Sequence, residues 1–330
     1  MIASRLAAAV ITAGLAAALP VTNTWAQSPS TATQTVDTMN KLWGRHPGIR
    51  ANHAKGVVVE GSFTPTPDAA RLSKANIFAG AAVPVTVRFS DSTGLPTLPD
   101  GSIAANPHGM SIKFRPAGAS TVDVVTNSLA FFPVATGEAF LELLNALSVS
   151  GPDAAKPTQA DQFLAAHPSV LKAFGSVSTP TSFAREVYNG VDAFVFVDAQ
   201  GNRQPFRFKI VPAAGADHMA PDEAAKLPPD FLVDELPQRL ARQPVAFHLM
   251  AQLAGAGDQT KDPTQPWPAD RAMVDMGMIT LTTAAADNEA AQKALRYLPN
   301  NLTPGIEVSD DPLIDARVRA YVISFGRRLQ

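Results

Sequence analysis

The sequence predicts an α+β fold built around a mostly antiparallel β-sheet. The strand-like segments are rich in β-branched residues, and two of them flank a short turn that contains glycine. Strands and helices do not alternate in the regular way that a parallel sheet requires, and no GxGxxG sequence occurs, which argues against a nucleotide-binding fold. With 330 residues, 46% hydrophobic and 17% charged, the chain is long enough to bury a large core.

Eight segments have the composition of β-strands. In residues 83–90 the valines and Phe89 fall on one face, and Thr86, Arg88 and Ser90 fall on the other. The turn at Asp198–Asn202 joins two of the segments into a hairpin. The predicted strands are residues 56–63, 83–90, 110–114, 122–125, 194–197, 206–211, 245–253 and 275–282.

Helical periodicity separates these strands. The clearest case is residues 136–148, where the apolar side chains fall on one stripe. The other predicted helices are residues 158–174, 284–297 and 313–328. Three prolines in residues 262–269 predict a loop, and residues 299–312 predict an extended connector.

Residues 1–26 are typical of a secretory signal peptide. Arg5 is followed by an apolar run from Leu6 to Leu19, and Ala26 ends the segment. The alternative is an uncleaved membrane anchor, but 14 apolar residues are short for a hydrocarbon core of ~30 Å. The pattern predicts a periplasmic or secreted protein that has no membrane association after cleavage. The polar composition of residues 27–39 predicts a flexible N-terminal arm.

Composition narrows the possible chemistry. The 27 basic and 29 acidic residues give a net charge of -2, which argues against a nucleic-acid partner. The absence of cysteine excludes disulfides, iron–sulfur clusters and thiolate nucleophiles.

Two positions near strand ends have both a structural and a catalytic interpretation. His53 precedes the first strand and is either a structural residue or a general acid/base, because imidazole titrates near neutral pH. Asn127 follows the fourth strand and is either a turn residue or a neutral hydrogen-bond donor to an uncharged oxygen ligand.

Arg317 and Tyr321 are four residues apart on the last predicted helix and therefore share a face. One interpretation is a surface arginine stacked on a tyrosine, and the other is a phenolate metal ligand. Ionising a tyrosine near neutral pH requires about 5 kcal/mol. An exposed i,i+4 partner supplies only a few tenths of a kcal/mol. The second interpretation therefore requires a bound metal cation at Tyr321.

Six sequence blocks, taken in order, resemble those of haem catalases. They extend from about residue 40 to the end of the chain and predict one domain over residues 40–330. The blocks are Arg50-x-x-His53-Ala-Lys-Gly, Val87-Arg88-Phe89-Ser90, Asn106-Pro-His-Gly-Met-Ser-Ile-Lys-Phe114, Asp123-Val-Val-Thr-Asn127, Pro304-Gly-Ile-Glu-Val-Ser-Asp-Asp-Pro-Leu313 and Arg317-x-x-x-Tyr321. The length and the leader are similar to the catalase-related peroxidases.

The resemblance implies a closed antiparallel β-barrel with surrounding helices that holds haem b and its iron. His53 matches the family's distal acid/base, Asn127 matches the amide that orients peroxide, and Tyr321 matches the iron ligand. Arg317 matches the guanidinium beside the phenolate. The other matching positions are Arg50, Arg88 and Arg328 for the haem propionates, Ser90 for a hydrogen bond to the distal histidine, and Phe132 for a distal aromatic side chain.

The implied activity is the reduction of organic hydroperoxides and/or hydrogen peroxide by a small organic electron donor, through a ferryl intermediate. Asn52 stands where catalases usually carry valine, Asp91 and Ser92 replace an apolar stretch of the channel, and Asn106 replaces an aspartate. This more polar approach favours peroxidase activity over dismutation. The alternatives are a catalase that dismutates hydrogen peroxide and a non-catalytic periplasmic barrel that carries haem. The resemblance leaves open a monomer or a small homo-oligomer.

Overall fold

The computed structural model describes residues 30–330, so the predicted signal peptide at residues 1–26 lies outside the described residues. The ten strands of the described part are β1 Gly56–Pro65, β2 Val83–Asp91, β3 His108–Phe114, β4 Val122–Asn127, β5 Tyr188–Asn189, β6 Phe194–Val197, β7 Arg203–Pro212, β8 Val245–Leu253, β9 Met273–Ala284 and β10 Ile306–Val308. Its nine α-helices are α1 Thr31–Trp43, α2 Pro67–Leu72, α3 Gly137–Ser148, α4 Gln159–Ala166, α5 Pro168–Phe174, α6 Pro221–Ala224, α7 Phe231–Leu240, α8 Asn288–Ala294 and α9 Pro312–Arg328.

Eight strands form a closed antiparallel barrel in the order β7-β5-β4-β3-β2-β1-β9-β8. The barrel closes where β7 pairs with β8, from Phe206 opposite Leu253 to Pro212 opposite Phe247. The strands β6 and β10 extend the sheet beyond β7. Closure removes the exposed edges that an open sheet would leave. The expected closed antiparallel barrel with surrounding helices is confirmed.

The hydrophobic core fills the interior of the barrel. Along β8 the buried positions alternate with half-buried ones, as expected of a strand with one face toward a core. Aromatic rings pack edge to face inside the barrel, with 5.2 Å between the ring centroids of Phe63 and Phe114. Because side chains occupy the interior, a large ligand needs space on the outer face of the barrel.

The outer face of β2 is also buried, which the alternation of its residues did not predict. Arg88 and Ser90, on the face with polar residues, are only 4% and 3% exposed. The guanidinium of Arg88 donates hydrogen bonds to the side chain of Gln292 and to the carbonyl of His53, so these residues cover the strand. The outer face of β2 is therefore the floor of a covered space.

The prediction of a flexible arm over residues 27–39 is wrong from Thr31 onward, because α1 begins there. The hydroxyl of Ser30 accepts a hydrogen bond from the backbone N–H of Thr33 and caps the helix. Val36 and Met39 are buried on one side of the helix, which packs against α3 and α9. The polar residues between these two positions concealed this short apolar stripe in the sequence.

Two other predicted helices have different bounds. Residues 158–174 form two helices, because Pro168 begins α5 and leaves His167 between α4 and α5. Within residues 284–297 only α8 is helical, since β9 continues to Ala284. Across residues 30–330, no helix combines the length and the hydropathy needed to cross a membrane.

Candidate active site

A cavity of about 650 Å³ lies between the outer face of the barrel and the helices α1, α3 and α9. The barrel contributes residues of β2, β3 and β4, and the helices contribute the opposite wall. All nine site residues predicted from the sequence line this one cavity, although their roles stay predictions. They are Arg50, His53, Arg88, Ser90, Asn127, Phe132, Arg317, Tyr321 and Arg328.

His53 is held in a constrained conformation at the barrel wall. Its φ of 55° is the only positive φ of a non-glycine residue in the described chain, a conformation that a histidine adopts only when its surroundings enforce it. The side chain of Asn52 accepts a hydrogen bond from the His53 backbone N–H at 2.9 Å. The imidazole Nδ1 lies 3.0 Å from the hydroxyl of Ser90.

Gly109 gives the imidazole its space. It pairs with Ser90 across β2 and β3, and a Cβ built on it would come within 3.1 Å of the His53 ring and 2.9 Å of the Ser90 hydroxyl. A side chain at this position would therefore displace His53 or Ser90. The sequence does not reveal this contact, because it joins residues that are 56 positions apart.

The imidazole of His53 is neutral near neutral pH. Burial, together with the nearby guanidinium groups of Arg88, Arg50 and Arg317, lowers the pKa of His53 to about 3. In the tautomer with the proton on Nδ1, the neutral imidazole would donate to the Ser90 hydroxyl and keep a free lone pair on Nε2. This arrangement can accept a proton from a ligand in the cavity.

Asn127 and Phe132 complete the wall beside His53. The side-chain oxygen of Asn127 accepts a hydrogen bond from the Leu129 backbone N–H at 2.9 Å, which leaves the amide NH₂ available as a donor. Phe132 packs against Phe140 of α3 with 5.6 Å between ring centroids. The wall thus combines a neutral hydrogen-bond donor with an apolar surface.

Asp91 lies outside this wall, although its replacement of an apolar residue suggested a more polar channel. It pairs with His108 across β2 and β3 on the face opposite Ser90, and both side chains are fully buried. Burial and the neighbouring Asp100 raise the pKa of Asp91 to about 8. Asp91 therefore adds no polar group to the lining of the cavity.

Arg317 and Tyr321 occupy the helical wall on α9. The Nε of Arg317 donates a hydrogen bond to the Tyr321 Oη at 3.2 Å, as the i,i+4 spacing allows. The guanidinium also forms an ion pair with Asp192, and both partners are buried. The interpretation as a surface arginine is therefore wrong, because only 9% of the Arg317 side chain is exposed.

The ion pair keeps Arg317 charged. Burial alone would lower the pKa of Arg317, but the carboxylate of Asp192 and the hydroxyl of Tyr321 raise it above its usual value. The guanidinium therefore places a permanent positive charge beside the Tyr321 oxygen. The sequence does not reveal Asp192 as a partner of Arg317, because nothing in its local sequence marks it and the two residues are 125 positions apart.

Three further arginines converge on the C-terminal end of α8. Arg50 and Arg328 both donate to the Leu295 carbonyl at 2.7 Å, and Arg88 donates to the Gln292 side chain. Helix C-termini attract cations because their last carbonyls lack partners within the helix. This end of α8 therefore fixes the positions of the three guanidinium groups.

These three cations have no acidic partner within residues 30–330. Burial and the neighbouring Arg88 and Arg328 lower the pKa of Arg50 well below its usual range. Burial likewise lowers the pKa values of Arg88 and Arg328 to about 10. Burying three cations together is unfavourable unless an anion binds there. The site thus has the chemistry to hold a ligand with carboxylates at this edge.

Comparison with solved structures places this architecture among the catalases. A bacterial catalase superposes with a TM-score of 0.77 over 86% of this chain and 58% of its own, at 22% identity. A fungal catalase gives the same TM-score and identity and is covered over 60% of its length. The chain spans about three fifths of the length of these catalases, and at this identity the likeness establishes the fold.

The family model described as catalase matches residues 32–329. A catalase-related peroxidase of Mycolicibacterium paratuberculosis is 35% identical over 302 residues, which cover 90% of this chain and 95% of the relative. A catalase-related peroxidase of Synechococcus elongatus is 30% identical, over 97% and 95% of the two chains. The chain belongs to the catalase family, whose members are enzymes that act on peroxide and carry haem.

The residues present fit a haem. Tyr321 offers an oxygen that lies 3.2 Å from the Nε of Arg317, and tyrosine is an established axial ligand of haem iron. The unpaired cations of Arg50, Arg88 and Arg328 would hold the two haem carboxylates through charge-assisted hydrogen bonds. Val36 and Phe132 line the cavity with apolar surface that would suit the ring.

Proposed function

We propose that this protein is a haem b peroxidase that reduces organic hydroperoxides, hydrogen peroxide or both, with a small organic molecule as electron donor. The observation that carries the proposal is one cavity bordered both by a neutral, half-buried imidazole and by a tyrosine hydroxyl that is hydrogen-bonded to a buried arginine. The likeness to two catalase-related peroxidases over nearly their whole length supports it.

Haem bound between the two walls would supply an iron atom that takes up the peroxide oxygen and the oxidising equivalents. Tyr321 would bind the iron through Oη, and Arg317 would moderate the charge on that oxygen. Arg50, Arg88 and Arg328 would bind the propionates.

His53 would act as the acid/base on the peroxide. Its free Nε2 accepts the proton of the hydroperoxide and then delivers it to the second oxygen, so that an alcohol or water leaves. Asn127 would donate a hydrogen bond from its amide to the bound peroxide and orient it. Two donor molecules each lose one electron and one proton, and ROOH becomes ROH and H₂O.

The proposal includes export. Residues 1–26 carry the pattern of a signal peptide, which supports a periplasmic or secreted protein whose mature chain begins at Gln27. Fractionation of expressing cells and N-terminal sequencing of the purified protein test this part. Protein that stays in the cytoplasm with its N-terminus intact contradicts export.

Steady-state assays of the haem-loaded protein test the activity. We expect oxidation of a phenol by cumene hydroperoxide and by hydrogen peroxide, with oxygen release from hydrogen peroxide as the minor reaction. Rapid oxygen release without phenol oxidation would indicate a dismutating catalase instead. Haem binding without either reaction would indicate a carrier protein.

A further inference from the structure

Arg296 is a fourth arginine at the edge of the cavity. It follows Leu295, whose carbonyl binds the guanidinium groups of Arg50 and Arg328. Its guanidinium lies 5.1 Å from the ring centroid of Phe325, and that of Arg328 lies 4.9 Å from the same centroid. Arg296 therefore belongs to the same cationic cluster, but its side chain is exposed whereas the other three are largely covered.

The cluster carries more positive charge than a haem can neutralise. Six arginines line the cavity, and two of them are already paired, Arg317 with Asp192 and Arg319 with Asp315. The four that remain have no acidic partner among the described residues: Arg50, Arg88, Arg296 and Arg328. Two propionates would balance two of these four charges and leave a net positive edge.

The acidic residues of the cavity do not remove this excess. Asp315 is held by Arg319 at 2.7 Å. Glu138 is exposed and follows Gly137, which packs against Ala316 near the beginning of α9. Phe325 lies nine residues farther along that helix, or about 13 Å at 1.5 Å per residue. Glu138 is thus too far away to neutralise Arg296 at ordinary ionic strength.

We propose that Arg296 forms a recruitment site for anionic electron donors at the propionate edge of the cavity, and that the donor class is a small phenol bearing a carboxylate. The inference rests on the proposed function. The exposed guanidinium attracts the carboxylate from solution, and the apolar surface of Phe325 and Leu295 accommodates the ring. The donor then loses one electron and one proton to the peroxide-oxidised enzyme and leaves as a phenoxyl radical.

Three phenols of similar size but different charge test the proposal: 4-hydroxyphenylacetate, p-cresol and tyramine. With the haem-loaded wild type, kcat/KM is expected to be highest for the anion, 4-hydroxyphenylacetate. The kcat/KM for this anion should fall as the salt concentration is raised. Arg296→Gln should lower kcat/KM for the anion about threefold, and Arg296→Glu about tenfold, which are typical sizes for an exposed charge pair and its reversal. Neither variant should change kcat/KM for p-cresol.

Arg319→Gln is the matched control, because Arg319 also lines the cavity but is paired with Asp315. This variant should leave the order of kcat/KM among the three donors unchanged. All rates are divided by the amount of bound haem, which the absorption spectrum gives. Two results would overturn the recruitment site: kcat/KM changes equally for all three donors in the Arg296 variants, or the preference for the anion stays unchanged. Oxidation of p-cresol would still support the peroxidase in either case. A wild type that oxidises none of the phenols would instead overturn the proposed function and this inference with it.

Discussion

The two walls of the cavity hold their functional groups in different ways. On the barrel wall, His53, Ser90 and Gly109 come from separate segments that only strand pairing brings together, and the imidazole is neutral. On the helical wall, Arg317 and Tyr321 are four residues apart on α9, and the charge of Arg317 is compensated by Asp192. In the proposed function, the barrel wall would provide proton transfer and the helical wall would provide charge stabilisation.

Replacing the base on the barrel wall should have the largest effect. His53→Asn removes the titratable nitrogen, yet asparagine tolerates the positive φ of this position better than alanine does. We expect phenol oxidation to fall by about 10²- to 10⁴-fold, the usual contribution of a general acid/base. Stopped-flow and steady-state rates at equal haem content measure this. A loss of less than fivefold would mean that His53 is structural.

Removing the carboxylate that pairs with Arg317 of the helical wall should mainly affect stability. Asp192→Asn leaves the buried guanidinium of Arg317 without its ionic partner, which should lower the free energy of unfolding by about 3 kcal/mol. Urea denaturation measures the change. The control is Asp310→Asn, which breaks an exposed pair with Lys261 and should change the unfolding free energy far less. If both variants lost the same unfolding free energy, the buried pair would contribute no more to stability than the exposed pair.

Two histidines at the barrel, His53 in the cavity wall and His108 on the opposite face of the sheet, should also make the protein sensitive to acid. Burial lowers the pKa values of His53 and His108 to about 3, whereas histidines in an unfolded chain protonate near pH ~6.5. The unfolded state therefore binds more protons between these pH values. Stability is fully present above pH ~6.5 and is lost as the pH falls toward ~3, by about 1.4 kcal/mol per pH unit for each histidine.

His108→Gln sharpens this expectation. The slope of the unfolding free energy between pH 6 and pH 4 should decrease by about 1.4 kcal/mol per pH unit in the variant. Urea titrations at several pH values measure the slope. At pH 8 the difference between variant and wild type should no longer depend on the protonation of this histidine. An unchanged acid slope would contradict a neutral, buried His108.

Among the four substitutions, His53→Asn, Asp192→Asn, His108→Gln and Gly109→Ala, the last should have the smallest effect. The added methyl group would lie within 3.1 Å of the His53 ring, so the imidazole must shift by a few tenths of an ångström. We expect phenol oxidation to fall about tenfold, since small misplacements of a catalytic group have effects of this order. Gly151→Ala is the control, because its Cβ would meet no atom within 4 Å. Equal rates in both variants would show that the space around His53 is not limiting.

The contrast between the helical wall and the barrel wall also explains which features the sequence could predict. The spacing of Arg317 and Tyr321 placed both on one helix face, and alternation located the strands of the barrel. Strand alternation could not show that Arg88 is buried, because the residues that cover it are 204 positions away at Gln292. The carboxylate partner of Arg317 was missed for the same reason, because it is 125 positions away. The helix α1 was missed because polar residues conceal its short apolar stripe. Contacts between distant segments depend on closure of the barrel, which only the resemblance to catalases predicted.

The absorption spectrum of the haem-loaded protein tests most directly whether Tyr321 is the iron ligand. Wild type should show an intense Soret band, and Tyr321→Phe should change the iron spectrum because the ligand oxygen is gone. Tyr297→Phe is the matched control, since Tyr297 also lines the cavity but its hydroxyl lies 3.3 Å from the Thr86 carbonyl. A wild type without a Soret band, or a Tyr321→Phe spectrum identical to that of wild type, would contradict the account.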